Sequence, residues 1–387
     1  MFMRYLRLSA RALTAAAALL GLTMAVGNAA ETIKIGSFLA VTGPASFLGA
    51  PEKKTLELYV AKINAAGGIL GRKVQLIVYD DGANPKKGVT FAKRLIQQDK
   101  VDFLIGGSTT GVTMAVAPVA TKAKIPFISL GGASVIIDPV RKWIFKTPHT
   151  DAMAVGKVYT DMKKEGIGNV GLIAGSGGFD KSCMKNAKKL APKYGIKVVA
   201  AETYGKGDTD MTPQLTKIKD TAGLQGVLFC GFGSPAVIVT KNFRQLGIKV
   251  PLYHTHGSAS KKFVQGAGAA ADGVRLPAAA ALVAKQLPGS DPQRAVGMRY
   301  TKAYTTKYGE DISTFGGHAY DALFLMKGAM ERAKGTNKAK VRDALEATKN
   351  FIGVDGMFTM SPKDHMGLDL ASFKMVEVKN GDWVLLY

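Results

Sequence analysis

Beyond position 30 the chain alternates between short apolar runs and longer stretches whose apolar residues recur every three or four positions. Ile33 to Phe38, Val74 to Asp80, Val101 to Ile105 and Pro126 to Leu130 read as strands. Between them, a helix is predicted from about Lys53, with Leu56, Tyr59, Val60 and Ile63 on one face and Gly67-Gly68 as its stop. Asn84-Pro85 opens the next helix as a cap followed by proline, and Val89, Ala92 and Ile96 mark its buried side. Thr110 to Lys122 is a third helix. The rhythm then restarts. Val170 to Ala174, Lys197 to Glu202, Gly226 to Cys230 and Pro251 to His254 read as strands, with helices around 180–194, 210–222 and 235–246. Such alternation demands a parallel sheet covered by helices on both faces, and its repetition predicts an α/β protein of two similar lobes. After Pro277 two long helical stretches near 291–308 and 316–334 follow without a strand between them. Lys338 to Ala347 and a β-rich end, Phe373 to Val378 and Trp383 to Leu386, complete the chain. No Pro/Ser-rich linker separates the lobes, so they pack directly or exchange segments.

The first 30 residues have a different logic. Arg4, Arg7 and Arg11 precede an apolar run from Ala12 to Val26, and Asn28-Ala29-Ala30 supplies small residues before Glu31. This is the layout of a signal peptide cut at Ala30/Glu31, and the apolar run is short for a membrane span. It predicts export to the periplasm. No cysteine lies near the cut to carry a lipid. Cys183 and Cys230 are too few for a disulfide scaffold, and their apolar surroundings read most simply as core thiols, although the compartment permits a bridge. The net charge is +23, but the lysines are scattered over helix faces with no basic tail or aromatic-basic motif. That pattern describes a solvated surface and argues against nucleic-acid binding.

Ile35-Gly36, Thr42-Gly43-Pro44, Gly49, Ile63-Asn64-Ala65-Ala66-Gly67-Gly68-Ile69, Asp80-Asp81, Ile105-Gly106, Thr113, Asp272-Gly273-Val274 and Phe315-Gly316-Gly317-His318-Ala319-Tyr320-Asp321 together resemble the leucine/isoleucine/valine-binding family of periplasmic binding proteins. The resemblance runs through nearly the whole chain beyond the leader. It implies two Rossmann-like lobes with parallel-sheet cores, joined by three crossovers, that close on a small molecule and deliver it to an inner-membrane ABC permease. It places residues 1–30 as signal peptide, 31–148 plus 279–352 in lobe 1, and 149–278 plus 353–387 in lobe 2. It implies no catalysis and no cofactor. The same architecture also serves periplasmic sensors, which stays open as a second class of function.

The resemblance implies a set of ligand-binding positions. Ser108-Thr109-Thr110-Gly111 is a strand-to-helix turn whose free N–H groups suit a carboxylate; Thr109 and Thr110 also fit simple capping. The family places a ligand-binding hydroxyl at the position of Thr110. Gly131 matches a backbone N–H donor. Ala133 stands where amino-acid binders have threonine, so either Ser134 supplies the hydroxyl or the clamp lacks it. Leu48 falls where an aromatic wall is common, Phe179 matches a rim tyrosine, and Asp151 lies near the hinge. Phe232 or Gly233 marks a further strand end. The main departure is at Tyr253-His254-Thr255-His256-Gly257. The family's ammonium-binding glutamate falls near His256, yet no Asp or Glu occurs from Pro235 to Ala271. A buried ammonium without a carboxylate is unfavourable, whereas histidine offers a donor. His256, with His254, therefore predicts a small aromatic or branched carboxylate as ligand, with a branched-chain amino acid as the alternative. The family's first-lobe disulfide, at positions matching Ala83 and Thr109, is absent.

Enzyme motifs do not hold up. Gly231-Phe232-Gly233-Ser234-Pro235-Ala236 fits a loose dinucleotide pattern but lacks the acidic residue about 20 positions on. Ser182-Cys183-Met184-Lys185 matches Ser-x-x-Lys without its partner motifs. His254-x-His256 lacks an assigned third metal ligand.

Overall fold

The computed structural model describes residues 31–205 and 207–387; the predicted signal peptide and its cleavage point lie outside the described residues. The first lobe is laid down in order as β1 (Ile33–Leu39), α1 (Ser46–Ala65), β2 (Val74–Asp80), α2 (Pro85–Gln97), β3 (Phe103–Gly106), α3 (Thr110–Lys122), β4 (Phe127–Ser129) and β5 (Ile144–Lys146). Its five strands are parallel, in the order β2-β1-β3-β4-β5. The second lobe continues with α4 (Asp151–Lys164), β6 (Asn169–Ala174), α5 (Gly178–Leu190), β7 (Lys197–Thr203), α6 (Thr212–Lys219), β8 (Gly226–Cys230), α7 (Ser234–Gln245), β9 (Leu252–His254), α8 (Lys261–Ala267) and β10 (Arg275–Ala279). There follow α9 (Pro292–Tyr308), α10 (Thr314–Ala333), α11 (Lys338–Glu346), a small hairpin of β11 (Phe351–Ile352) and β12 (Met357–Phe358), and finally β13 (Phe373–Lys379) and β14 (Asp382–Leu385). The second sheet runs β14-β13-β10-β9-β8-β6-β7, with its last two strands, β13 and β14, added antiparallel.

Burial explains why the late helices return to the first lobe. Tyr300, Tyr304, Ala322, Met326 and Leu345 share one core with Ile33, Ile35, Leu56 and Phe103. That core also takes Val354, Phe358, Met360, Met366 and Leu368. The return to lobe 2 therefore falls at 369–372, just before β13, and not at the expected 353. The hairpin carries the apolar side chains that close the underside of α10, so it stays with the lobe that buries them. The chain passes between lobes near 147–150, 280–291 and 369–372, and residues 33–387 form one compact unit.

Two local departures have physical causes. Helix α1 begins at Ser46, seven residues before the predicted start. Pro51 stands in the second turn of the helix, and Gly49 lets the extra turn settle onto the Ala40 backbone, where any Cβ would collide. Cys183 and Cys230 are not core thiols: they are joined in a disulfide, with their Cα atoms 5.7 Å apart, linking α5 to the end of β8. Among the described residues, no helix is long and apolar enough to cross a membrane.

Candidate functional site

The strand ends of both sheets face a cleft between the lobes, where ligands of open α/β sheets lodge. A narrow cavity, part of it open to solvent, is lined by Leu48, Ser108, Thr109, Thr110, Leu130, Gly132, Pro148, Phe179, Phe232, His256, Gly257, Phe315 and His318. Helix α3 points its N-terminus into this space. Thr109 is its cap, accepting from the Val112 N–H at 3.4 Å, so the hydroxyl of Thr109 is engaged within the helix. Thr110 is different. Its Oγ1 is buried at the cavity wall with no hydrogen-bond partner among the described residues. A buried hydroxyl in this condition is unfavourable unless something arrives to bond it. Ser108 is committed elsewhere, donating to the buried Glu52 carboxyl at 2.5 Å while accepting from the Ala40 N–H. Burial pushes the Glu52 carboxyl well above the usual range, opposed by that bond from Ser108.

The opposite wall is aromatic. Phe179 and Phe232 of lobe 2 lie 5.8 Å apart, and Phe47 of lobe 1 sits 6.0 Å from Phe232 and 5.5 Å from Phe315. His256 packs edge-on to Phe179 at 5.4 Å. It is wholly buried, and its Nδ1 has no partner among the described residues. Desolvation holds its pKa well below the ordinary value; Lys146 and His318 push the same way, and a bond with the His149 backbone opposes them. His256 is therefore a neutral imidazole. No Asp or Glu lines the cavity.

Several expected positions lie off the wall. The Gly131 N–H, expected to face a ligand, donates to Ser129 Oγ at 3.0 Å. Ala133 is buried in the lobe 2 core, and Ser134 Oγ accepts from Asn186 Nδ2 across the cleft. Asp151 accepts from the Ser134 and Ala152 N–H groups, so its carboxylate braces the loop. His254 hydrogen-bonds Thr240 and Ser258 and packs between Phe229 and Phe263, so it is a core histidine beneath the site. Six expected residues do meet at the cavity: Leu48, Thr109, Thr110, Phe179, Phe232 and His256. Not among the expected contacts were Ser108, Leu130, Gly132, Pro148, Gly257, Phe315 and His318. The last two stand one turn apart in α10, within the Phe315–Asp321 stretch that carries part of the family resemblance. Among the described residues no group of three or more His, Cys, Asp or Glu is arranged to hold a metal.

The lobes also touch away from the cavity. Thr314 Oγ1 donates to the Ala259 carbonyl at 3.1 Å, and Ser260 pairs with Ser313. Lys146 is buried entirely near the first crossover, donating to the carbonyls of Gly132 and His149. Burial lowers its pKa to about 7, against the pull of Asp151 and Asp355.

This geometry belongs to a known class. The family model described as periplasmic binding protein matches residues 32–382. An extracellular ligand-binding receptor from Rhodopseudomonas palustris superimposes with a TM-score of 0.86 at 31% identity, covering 92% of this chain and all of that one. The branched-chain amino acid transporter substrate binding protein of Streptococcus pneumoniae, solved with isoleucine, gives 0.80 at 26% identity over 92% of this chain and 100% of its own. The leucine-, isoleucine-, valine-, threonine-, and alanine-binding protein of Pseudomonas aeruginosa is 26% identical over 323 residues, 82% of this chain and 83% of that protein. The chain belongs to the periplasmic binding protein family, in its two-lobed type I form.

Replacing Thr110 by valine keeps the shape and removes the unpartnered hydroxyl. If that hydroxyl bonds a ligand carboxylate, affinity falls by about 1–3 kcal/mol with no loss of melting temperature in the free protein. Calorimetry of Thr110→Val with any ligand bound by the wild type reads this directly. Unchanged affinity would reduce Thr110 to a helix-end residue.

Proposed function

We propose that this protein is the solute-receiving component of an ABC importer, exported to the periplasm, and that it captures a small monocarboxylate with an apolar, aromatic or branched body for an inner-membrane permease. One observation carries the reading. The cavity offers a helix N-terminus, an unpartnered hydroxyl and neutral histidines, and no carboxylate. An α-ammonium enclosed there lacks a counter-charge, whereas a carboxylate meets donors and a positive dipole end. Phe179, Phe232 and Phe315 surround an uncharged body.

The second reading is branched-chain amino-acid binding, favoured by the names of the relatives from P. aeruginosa and S. pneumoniae. Leucine and its desamino analogue, 4-methylpentanoate, separate the two. With benzoate as a third probe, the carboxylate reading expects the acids to raise the melting temperature and leucine to act at least about tenfold more weakly. At 100 times its dissociation constant an acid adds about 2.7 kcal/mol to stability. His256→Glu then weakens the acids by placing a second negative charge in the cavity. Micromolar leucine binding, unchanged in His256→Ala, would establish the amino-acid reading instead.

A further inference from the structure

His318 is the cavity residue with the most elaborate support. Phe315 and His318 occupy one face of the first turns of α10, where three-residue spacing brings side chains together. The His318 backbone carbonyl is held by Thr147 Oγ1 at 2.9 Å. Its ring Nδ1 lies 2.6 Å from Asp355 Oδ2. Asp355 is fixed in turn by Asp321, whose two oxygens accept the N–H groups of Val354 and Asp355, each at 2.8 Å. Both carboxyls are completely buried. Burial raises the pKa of both carboxyls well above the ordinary value, and for Asp355 the hydrogen bond with Asp321 and the nearby Lys146 oppose that rise.

This arrangement fixes the imidazole. With Nδ1–H donated to Asp355, the remaining ring nitrogen, Nε2, presents a lone pair to the cavity. Burial and Lys146 both disfavour adding a second proton. A lone pair repels a carboxylate and attracts an O–H. The ligand's carboxylate thus belongs at the α3 end, and His318 meets a different group.

We infer that the natural ligand is a hydroxylated carboxylic acid, its hydroxyl set apart from the carboxylate by the apolar body, and that His318, oriented by Asp355, is the acceptor that selects for that hydroxyl. The inference rests on the carboxylate reading above and narrows it. Ligands without a hydroxyl leave the lone pair facing apolar surface, and ligands with a methoxy group bring a second acceptor against it.

The test is calorimetry with benzoate, 3-hydroxybenzoate, 4-hydroxybenzoate and 4-methoxybenzoate. At least one hydroxybenzoate should bind about tenfold or more tighter than benzoate and the methoxy acid, as expected of a site built to bond a hydroxyl. In His318→Phe the preference, read as the ratio of hydroxybenzoate to benzoate affinity within the variant, should shrink to within about threefold. Asp355→Asn provides a second route: the amide donates to Nδ1, the ring then carries Nε2–H, and the preference for the hydroxyl over the methoxy acid is lost. Equal wild-type affinity for benzoate and both hydroxybenzoates would overturn the inference and leave the carboxylate reading standing. A hydroxyl preference that survives both substitutions would also overturn the role of His318. Binding of leucine with no binding of any acid would remove the underlying reading itself.

Discussion

Removing the Cys183–Cys230 bond lowers the unfolding free energy by about 4 kcal/mol. The two cysteines are 47 residues apart, and in the chain-entropy model a closed loop of that size restricts the unfolded chain by about this amount. The bond lies in the middle of lobe 2, between the first half of α5 and the end of β8, so little of its effect is local strain at the surface. The double substitution Cys183→Ala, Cys230→Ala should melt about 5 to 12 °C lower, the smaller figure applying if both lobes unfold together. Reductant added to the wild type should reproduce the shift. Equal melting temperatures under oxidising and reducing conditions, with the bond verified by mass, would refute the assignment. Phe179 precedes Cys183 by one turn of α5 and Phe232 follows Cys230 by two residues, so the same bond also positions two walls of the cavity.

His254 gives the second large effect, through pH. Its ring is wholly buried, and desolvation, aided by Arg244, lowers its pKa to about 3. In the unfolded chain the value is about 6.5. A histidine with a depressed folded pKa contributes stability that is complete above the unfolded pKa and is lost as pH falls toward the folded one. At pH 4.5 the loss from this group is about 2.7 kcal/mol, at about 1.4 kcal/mol for each unit. Net acid sensitivity is not the right measure, because burial raises Asp81 and Asp180 to about 6 and these groups act in the opposite direction. The measure is a difference. Urea unfolding of wild type and His254→Gln at pH 7.0, 5.5 and 4.5 should show the wild type's advantage shrinking by that amount as pH falls. A constant gap across the three pH values would mean the ring is not held neutral.

The strands plainest in the sequence are those that are apolar along their length and flanked by glycine, such as Val170 to Ala174 and Gly226 to Cys230. Besides the two-residue strands β11 and β12, two strands are hidden in the sequence for chemical reasons. Strand β5 ends in Lys146, whose fully buried ammonium is tolerated because carbonyls and carboxylates surround it, a circumstance no local window contains. Strand β10 contains Pro277, which argues against a central strand; the proline fits because β10 meets β9 in register only at Arg275 and Tyr253. The same division holds at the cavity. Thr110 and His256 sit at strand ends already visible as such. Phe315 and His318 come from a helix two hundred residues downstream of α3, and only the second crossover brings them over the cleft. The Gly131 N–H and Asp151 Oδ1 each bond a neighbouring loop group, while Asp151 Oδ2 is buried without a partner among the described residues, and those bonds exist only once the loop is folded.

The contact between Phe47 and Phe232 joins one side chain from each lobe, and Phe232 lines the cavity. Any swing of the lobes must part these rings along with the Thr314–Ala259 and Ser260–Ser313 contacts. Escape is then timed by the hinge. Solutes of quite different affinity should share nearly one residence time, differing instead in how readily they enter.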